Sequence, residues 1–176
     1  MGVELRPVAA CDAAAIDWIA RGMRRTLVEV EGETAGTALY TMDWLRDRVR
    51  FHLDPSQCAA RVVMAVASDR GVEQIVGHTI LRVETGDAGQ RFGLVSTTYV
   101  DPSARRAGVA DRLLAHAEDW CRAQSLPEAA TWTSATNTCL IALYAKHGFA
   151  EVERGRNEQT GTWMVRLAKS LAGRSP

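Results

Sequence analysis

"DPSARRAGVADRLL", residues 101–114, decides how the chain is read. Asp101-Pro102 stops the segment before it, and a helical apolar pattern follows. Helix starts ordinarily attract Asp or Glu, because the first four backbone N–H groups lack intrahelical partners and the aligned peptide dipoles leave positive charge there. This one opens on Arg105-Arg106-Ala107-Gly108. Two arginines oppose the dipole unless that end receives an external anion, when backbone donors and guanidinium groups face one ligand. Phosphate is the first candidate. Gly108 lets backbone approach a bulky diphosphate where a Cβ would intrude, and Ala110 keeps the next turn small.

Outward from this stretch, Val109, Ala110, Leu113, Leu114, Ala117, Trp120 and Cys121 predict an amphipathic helix from about Arg105 to Ser125, closed by Pro127. Before it, Phe92–Val100, Ile75–Val83 and the almost continuously apolar Arg61–Ala67 read as three strands of an antiparallel meander, turned at Asp69-Arg70-Gly71 and at Gly86–Gly89. Earlier still, Val3–Val8 is a strand and Asp12 caps a helix with Ile16, Ile19, Ala20 and Met23 on one face. Polar, glycine-bearing Glu31–Thr37 reads as a loop, and Thr41 caps a helix with Met42, Leu45, Val49 and Leu53 on its apolar face. Downstream come a strand at Ala129–Thr133, a helix capped by Thr136 or Asn137 running to His147 with Gly148 as its left-handed cap, and a closing hairpin of 149–153 and 162–167. The expected class is α/β, a mixed, mainly antiparallel central sheet flanked by helices in the order β-α-α-β-β-β-α-β-α-β-β.

Composition bounds the function. The 176 residues, 47% of them hydrophobic, fit one domain with a single core, taken as 1–170 with a short tail at 171–176. Formal net charge is zero and the charges are mixed, so no basic stripe of the kind a nucleic-acid backbone demands is present. Cys11, Cys58, Cys121 and Cys139 form no C-x-x-C pair, which argues against a metal site and against disulfides. Charged residues interrupt the N-terminal segment, and no run approaches the ~20 apolar residues of a membrane span, so a cytoplasmic protein without membrane or nucleic-acid partners is expected, a homodimer being left open.

"YVDPSARRAGVADRLLAHAEDW" followed by "NTCLIALYAKHGFAEV" resembles the GNAT superfamily of acetyl-coenzyme A dependent N-acetyltransferases. The first stretch is similar to that family's R-x-x-G-x-G/A pyrophosphate signature at Arg105, Arg106, Ala107, Gly108, Val109 and Ala110. The second is similar to its Asn, helical Tyr, Gly-Phe signature at Asn137, Tyr144, Gly148 and Phe149. The resemblance implies acetyl-CoA as co-substrate, no metal, and a sheet opened beside Tyr99 and Val100, whose backbone meets the pantetheine arm and the thioester oxygen. It also implies that Asn137 contacts the coenzyme and that Tyr144 protonates the leaving thiolate. The activity implied is transfer of acetyl to a primary amine of a small molecule or a protein by direct attack in a ternary complex. The alternative is a CoA-binding sensor that has lost the chemistry.

The general base is the open point. Many relatives carry a carboxylate on the strand before the pyrophosphate loop, whereas Leu94–Val100 has none. His78, a water chain on Ser96, Thr97 and Thr98, or Glu84 are the alternatives. For the acceptor, Trp18, Tyr40 and Trp44 are candidate walls and Glu29, Glu31 and Glu33 a candidate attraction for a cation, each equally readable as ordinary packing or a solvated loop.

Overall fold

In a computed structural model that describes residues 2–172, the apolar run read as a buried strand is β2 (Ala60–Asp69), with Val62 to Ala67 buried without interruption. Such a run is stable only between two covered faces. The alternation of the strand divides it accordingly. Val62, Met64 and Val66 pack with Ile16, Ile19 and Val49, while Ala65 and Ala67 pack with Val109 and Leu113. Around β2 lies a seven-stranded sheet in the order β1-β2-β3-β4-β5-β7-β6, with β1 Gly2–Pro7, β3 Val72–Thr85, β4 Arg91–Val100, β5 Glu128–Ser134, β6 Ala150–Arg156 and β7 Trp163–Ser170. All neighbours are antiparallel except β4 and β5. Helices α1 (Ala13–Glu31) and α3 (Met42–Leu53) supply Ile16, Ile19 and Val49 to one face, and α4 (Val109–Ala123) supplies Val109 and Leu113 to the other. The closing hairpin is present, but β7 inserts between β5 and β6, which leaves β6 as an outer edge. Of the expected tail, 173–176 lie outside the described residues. Among the described residues no helix is long and apolar enough to cross a membrane, and all four cysteines are free thiols.

The predicted caps form: Asp12 accepts from the Ala15 N–H at 2.9 Å, Thr41 from Trp44 at 3.1 Å and Asn137 from Leu140 at 3.3 Å. Two boundaries differ from expectation. The polar stretch after α1 is not a loop throughout, since Glu33–Ala38 forms a short helix, α2. Six residues cannot sustain a helix alone. Here Gly36 packs so closely on α1 that an added Cβ would lie 2.6 Å from backbone of Leu27 and Val28, and Arg24 reaches over to the carbonyls of Gly36, Thr37 and Tyr40. The helix expected from Arg105 starts only at Val109. Residues 102–104 make one 3-10 turn, and Arg106 and Gly108 take left-handed φ values of 67° and 76°, which no helix accommodates.

His78 is the main correction. It lies on β3 beneath α1, fully buried, with Tyr99 beside it and the Trp18 ring edge-on at 6.0 Å between centroids. Gly22 of α1 permits this, because a Cβ there would come within 2.8 Å of both the His78 and Tyr99 rings. Among the described residues neither ring nitrogen has a hydrogen-bond partner. Burial pushes the imidazole down to about 3, so the residue is a neutral core side chain and a poor proton acceptor.

Two outcomes are expected. Gly93 faces Cys121 so closely that an added Cβ would run into its sulfur, so Gly93→Ala should lower stability by about 1–3 kcal/mol in denaturant titration. For His78 the unfolded chain binds a proton below pH 6.5 that the folded chain refuses down to about pH 3, so stability falls as pH falls through that window. The slope is at most about 1.4 kcal/mol per pH unit from this group, and His78→Gln should make that limb shallower in chemical unfolding between pH 6.5 and 4, leaving the part that the buried His52 contributes.

Candidate functional site

The parallel pair β4–β5 is joined through only two residue pairs, Gly93↔Ala129 and Leu94↔Ala130. An extra residue in β4, Ser96, bulges the strand where the register with β3 shifts between Ile80 and Leu81. The Thr131 hydroxyl makes the last link, donating to the Val95 carbonyl at 2.9 Å. Beyond it the strands diverge, and the wedge between Ser96–Val100 and Thr131–Ser134 is part of a cleft of about 720 Å³.

One end of the cleft meets the turn of residues 101–108 that leads into α4. Arg105, Arg106, Gly108, Val109 and Ala110 line it, and Ala107 does not. Gly108 is the N-cap of α4 and offers no side chain, so the first N–H groups of the helix have no side-chain acceptor. An added Cβ at Gly108 would meet nothing within 4 Å, so the glycine answers to its positive φ and to what enters the open space, not to crowding inside the protein. The two arginines differ. Arg105 is committed, through Nε to the Val100 carbonyl at 3.1 Å and through Nη2 to Glu29 of α1 at 2.6 Å. Arg106 is exposed and among the described residues has no hydrogen bond or ion pair, which makes it the available cation. Val109 lines the cleft but is rooted in the core under α4.

Midway sits Tyr144 of α5 (Thr138–Lys146), 2% exposed, its ring edge-on to Phe149 at 4.9 Å. Burial pushes the phenol above its ordinary range, while the hydroxyls of Thr131 and Thr98 pull partly the other way. It therefore keeps its proton at neutral pH and is a hydrogen-bond donor to any group that gains negative charge within the cleft. Asn137 both caps α5 and lines the cleft, its Nδ2 donating to Thr133 Oγ1 at 3.3 Å. The Tyr99 side chain turns to α1, where its hydroxyl accepts from Arg25 at 3.0 Å.

The far end is a room under α1, α3 and the connection at Leu39 and Tyr40. Tyr40 and Trp44 line it as a stacked pair with centroids 4.0 Å apart, whereas Trp18 does not line it. Glu29 and Glu31 line the cleft and Glu33 does not. Sequence reasoning missed the connection between β6 and β7, where the Tyr40 hydroxyl donates to Gln159 at 2.9 Å and Thr162 donates to Glu31 at 2.7 Å. It also missed Arg48 and His52, which line the cleft from α3. The signal was a second stripe, Trp44, Arg48 and His52, spaced four apart beside the apolar one. His52 Nδ1 lies 2.7 Å from the Arg48 carbonyl, Nε2 has no partner, and burial pushes the ring down to about 4. His78 and Glu84, the two side-chain bases considered from sequence, are not in the cleft; Glu84 pairs with Arg82. Ser96, Thr97 and Thr98 are in it. One continuous cleft thus joins a helix start without a side-chain cap beside the uncommitted Arg106, unpaired strand backbone, a buried phenol and a second room.

The sequence model of the Acetyltransferase (GNAT) family matches residues 40–149, more than half of the chain. Aminoglycoside N(6')-acetyltransferase type 1 of Klebsiella aerogenes is 41% identical over 58 residues, which span 33% of this chain and 38% of that protein. Among solved structures, a chain of the NatC complex bound to Gag peptide and CoA superposes with a TM-score of 0.76 at 17% identity, covering 97% of this chain and 99% of its own. YncA of Salmonella typhimurium with its cofactor acetyl-CoA superposes with a TM-score of 0.67 at 15% identity, covering 100% of this chain and 98% of its own. With the fold, the split between β4 and β5 and the family match in agreement, the chain belongs to the GNAT family of acetyltransferases.

Proposed function

We propose that the protein transfers acetyl from acetyl-CoA to a primary amine by direct attack within a ternary complex. The observation that carries this reading is the divergence of β4 from β5 directly beside an α4 N-terminus without a side-chain cap. Relatives of the same fold hold CoA and acetyl-CoA. The diphosphate fits the N–H groups from Gly108 to Ala110 with Arg106 alongside, and the pantetheine arm fits the unpaired backbone of β4, with Asn137 at its flank.

Bound there, acetyl-CoA supplies the acyl carbon, whose bond to sulfur breaks as the bond to the amine nitrogen forms. The chain's own groups do the rest. The backbone N–H of Val100, which the alternation of the β3–β4 ladder turns away from β3 and toward the gap, receives the carbonyl oxygen as it gains charge, a role that needs no reorganisation of the site, while the N–H of Tyr99 faces β3. Tyr144 gives its proton to the departing sulfur. The amine must lose a proton before it attacks, and with His78 sealed in the core this falls to water held by the hydroxyls of Ser96 and Thr97 at the bulge. No cysteine lines the wedge between the strands except Cys139 on α5, an exposed thiol, so a direct attack is the simpler course.

Two variants test this. Gly108→Val should abolish the thermal stabilisation given by acetyl-CoA, which at 100 times its dissociation constant is about 2.7 kcal/mol in the parent, while the fold itself loses about 1–2 kcal/mol from a branched residue at positive φ. Normal binding by that variant would move the diphosphate site elsewhere. Tyr144→Phe should bind acetyl-CoA almost as the parent does and lose at least about tenfold in amine-dependent thiol release. A variant that melts early but turns over at the parent rate would leave Tyr144 a packing residue only.

A further inference from the structure

Among the described residues, no hydrogen bond or ion pair holds Arg48, which lines the far room. Around it the others are committed: Arg24 to three carbonyls, Arg25 to Tyr99 and Asp101, Arg46 to Asp17 and Asp43, and Arg50 to Asp47. Among the described residues the Arg48 guanidinium meets no carboxylate and no carbonyl, and only stacks over the Phe51 ring at 4.8 Å. It is half-buried, and burial together with the charge of Arg82 lowers its pKa, with Cys58, Glu84 and Tyr40 acting weakly the other way across space. The carboxylates that line the cleft are spoken for: Glu29 by Arg105, Asp111 by Lys146 and His147, and Glu31 by Thr162. Trp44, one turn before Arg48 on the same stripe, stacks on Tyr40 and gives the room an apolar wall.

We infer that the acetyl acceptor is an amine that also carries an oxyanionic group, a carboxylate or a phosphonate, and that Arg48 receives that group. This rests on the acetyl-transfer reading above. A guanidinium presents paired N–H donors in a fixed plane, which matches a carboxylate or phosphonate edge two bonds at a time and fixes the direction of the rest of the molecule. The half-buried charge, uncompensated in the protein alone, is neutralised by the substrate itself, so an acceptor without an anion leaves it unpaired. A polycationic acceptor would bring like charge to it, and the stretch shared with the aminoglycoside enzyme spans only 33% of this chain.

The test is a panel of amines with acetyl-CoA saturating: the α-amino acids, β-alanine and 4-aminobutyrate, each beside its carboxamide, then 2-aminoethylphosphonate and the polycation kanamycin. Free acids or the phosphonate should exceed carboxamides and kanamycin at least tenfold in kcat/KM, and which anion wins separates carboxylate from phosphonate. Arg48→Gln should erase that preference by lowering the acids and leaving the carboxamides and the acetyl-CoA KM unchanged, and Arg48→Lys should restore part of it. Carboxamides or kanamycin matching the acids, or an equal loss on both classes in Arg48→Gln, overturns the assignment to Arg48 and leaves acetyl transfer standing. Should no amine turn over, calorimetry with the N-acetylated acids on protein saturated with CoA decides: binding lost in Arg48→Gln supports the proposal, and no binding by the parent overturns it. Absence of any acetyl-CoA stabilisation in the parent would instead remove the transfer reading beneath it.

Discussion

The divergence of β4 from β5 after two residue pairs is the constraint on which the rest of the molecule turns. Parallel strands inside a sheet are normally bonded along their length, because an unpaired backbone group away from water costs free energy comparable to a lost hydrogen bond. Here the pairing stops in the middle of a seven-stranded sheet. The opening is not a groove laid on a surface but a gap through the sheet itself, and it joins the side covered by α4 to the room under α1 and α3.

Several local devices hold that gap at a fixed width. Gly93 lets Cys121 of α4 press against β4 at the first of the two paired positions, so the closed end is packed tightly. The Ser96 bulge turns β4 away, and the Thr131 hydroxyl stands in for the backbone donor that β5 no longer supplies to Val95. Tyr144, wedged against Phe149, fills the crotch from the α5 side. Each of these is a small departure from regular sheet geometry, and each would be a defect if the strands were meant to zip shut.

Much of this was legible in the sequence, and what was not has physical reasons. β2 declared itself because continuous burial needs continuous apolarity, and the caps at Asp12, Thr41 and Asn137 because their chemistry is local. The turn before α4 was legible from its proline and glycine, but not its length, since the left-handed φ of Arg106 carries no residue-type signature. α2 was invisible because its six residues are held by Arg24 and by the contact of Gly36 with α1, both tertiary. His78 looked functional as a polar residue in a strand. Its burial depends on Gly22, more than fifty positions away on another element. Arg48 and His52 escaped notice because a polar stripe beside an apolar one reads as a solvated helix face until a second wall, here β4 and the β6–β7 connection, is seen opposite it.

The placement of β6 at the margin has a consequence for self-association. An outer strand offers free N–H and C=O groups to any passing chain. Five of the seven residues of β6 in succession are exposed, and Glu151 and Glu153 followed by Arg154 and Arg156 set charge of both signs along it, with a register shift between Glu151 and Glu153. At the opposite margin Arg6 of β1 is tied to Glu4 and Glu73. The outer edges are thus guarded against strand addition, whereas the inner edges bared between β4 and β5 carry Ser, Thr and apolar side chains and no such guard. What protects them is access: helices stand on both sides, so a slender amide-bearing arm can lie along them where a second polypeptide strand with its side chains cannot.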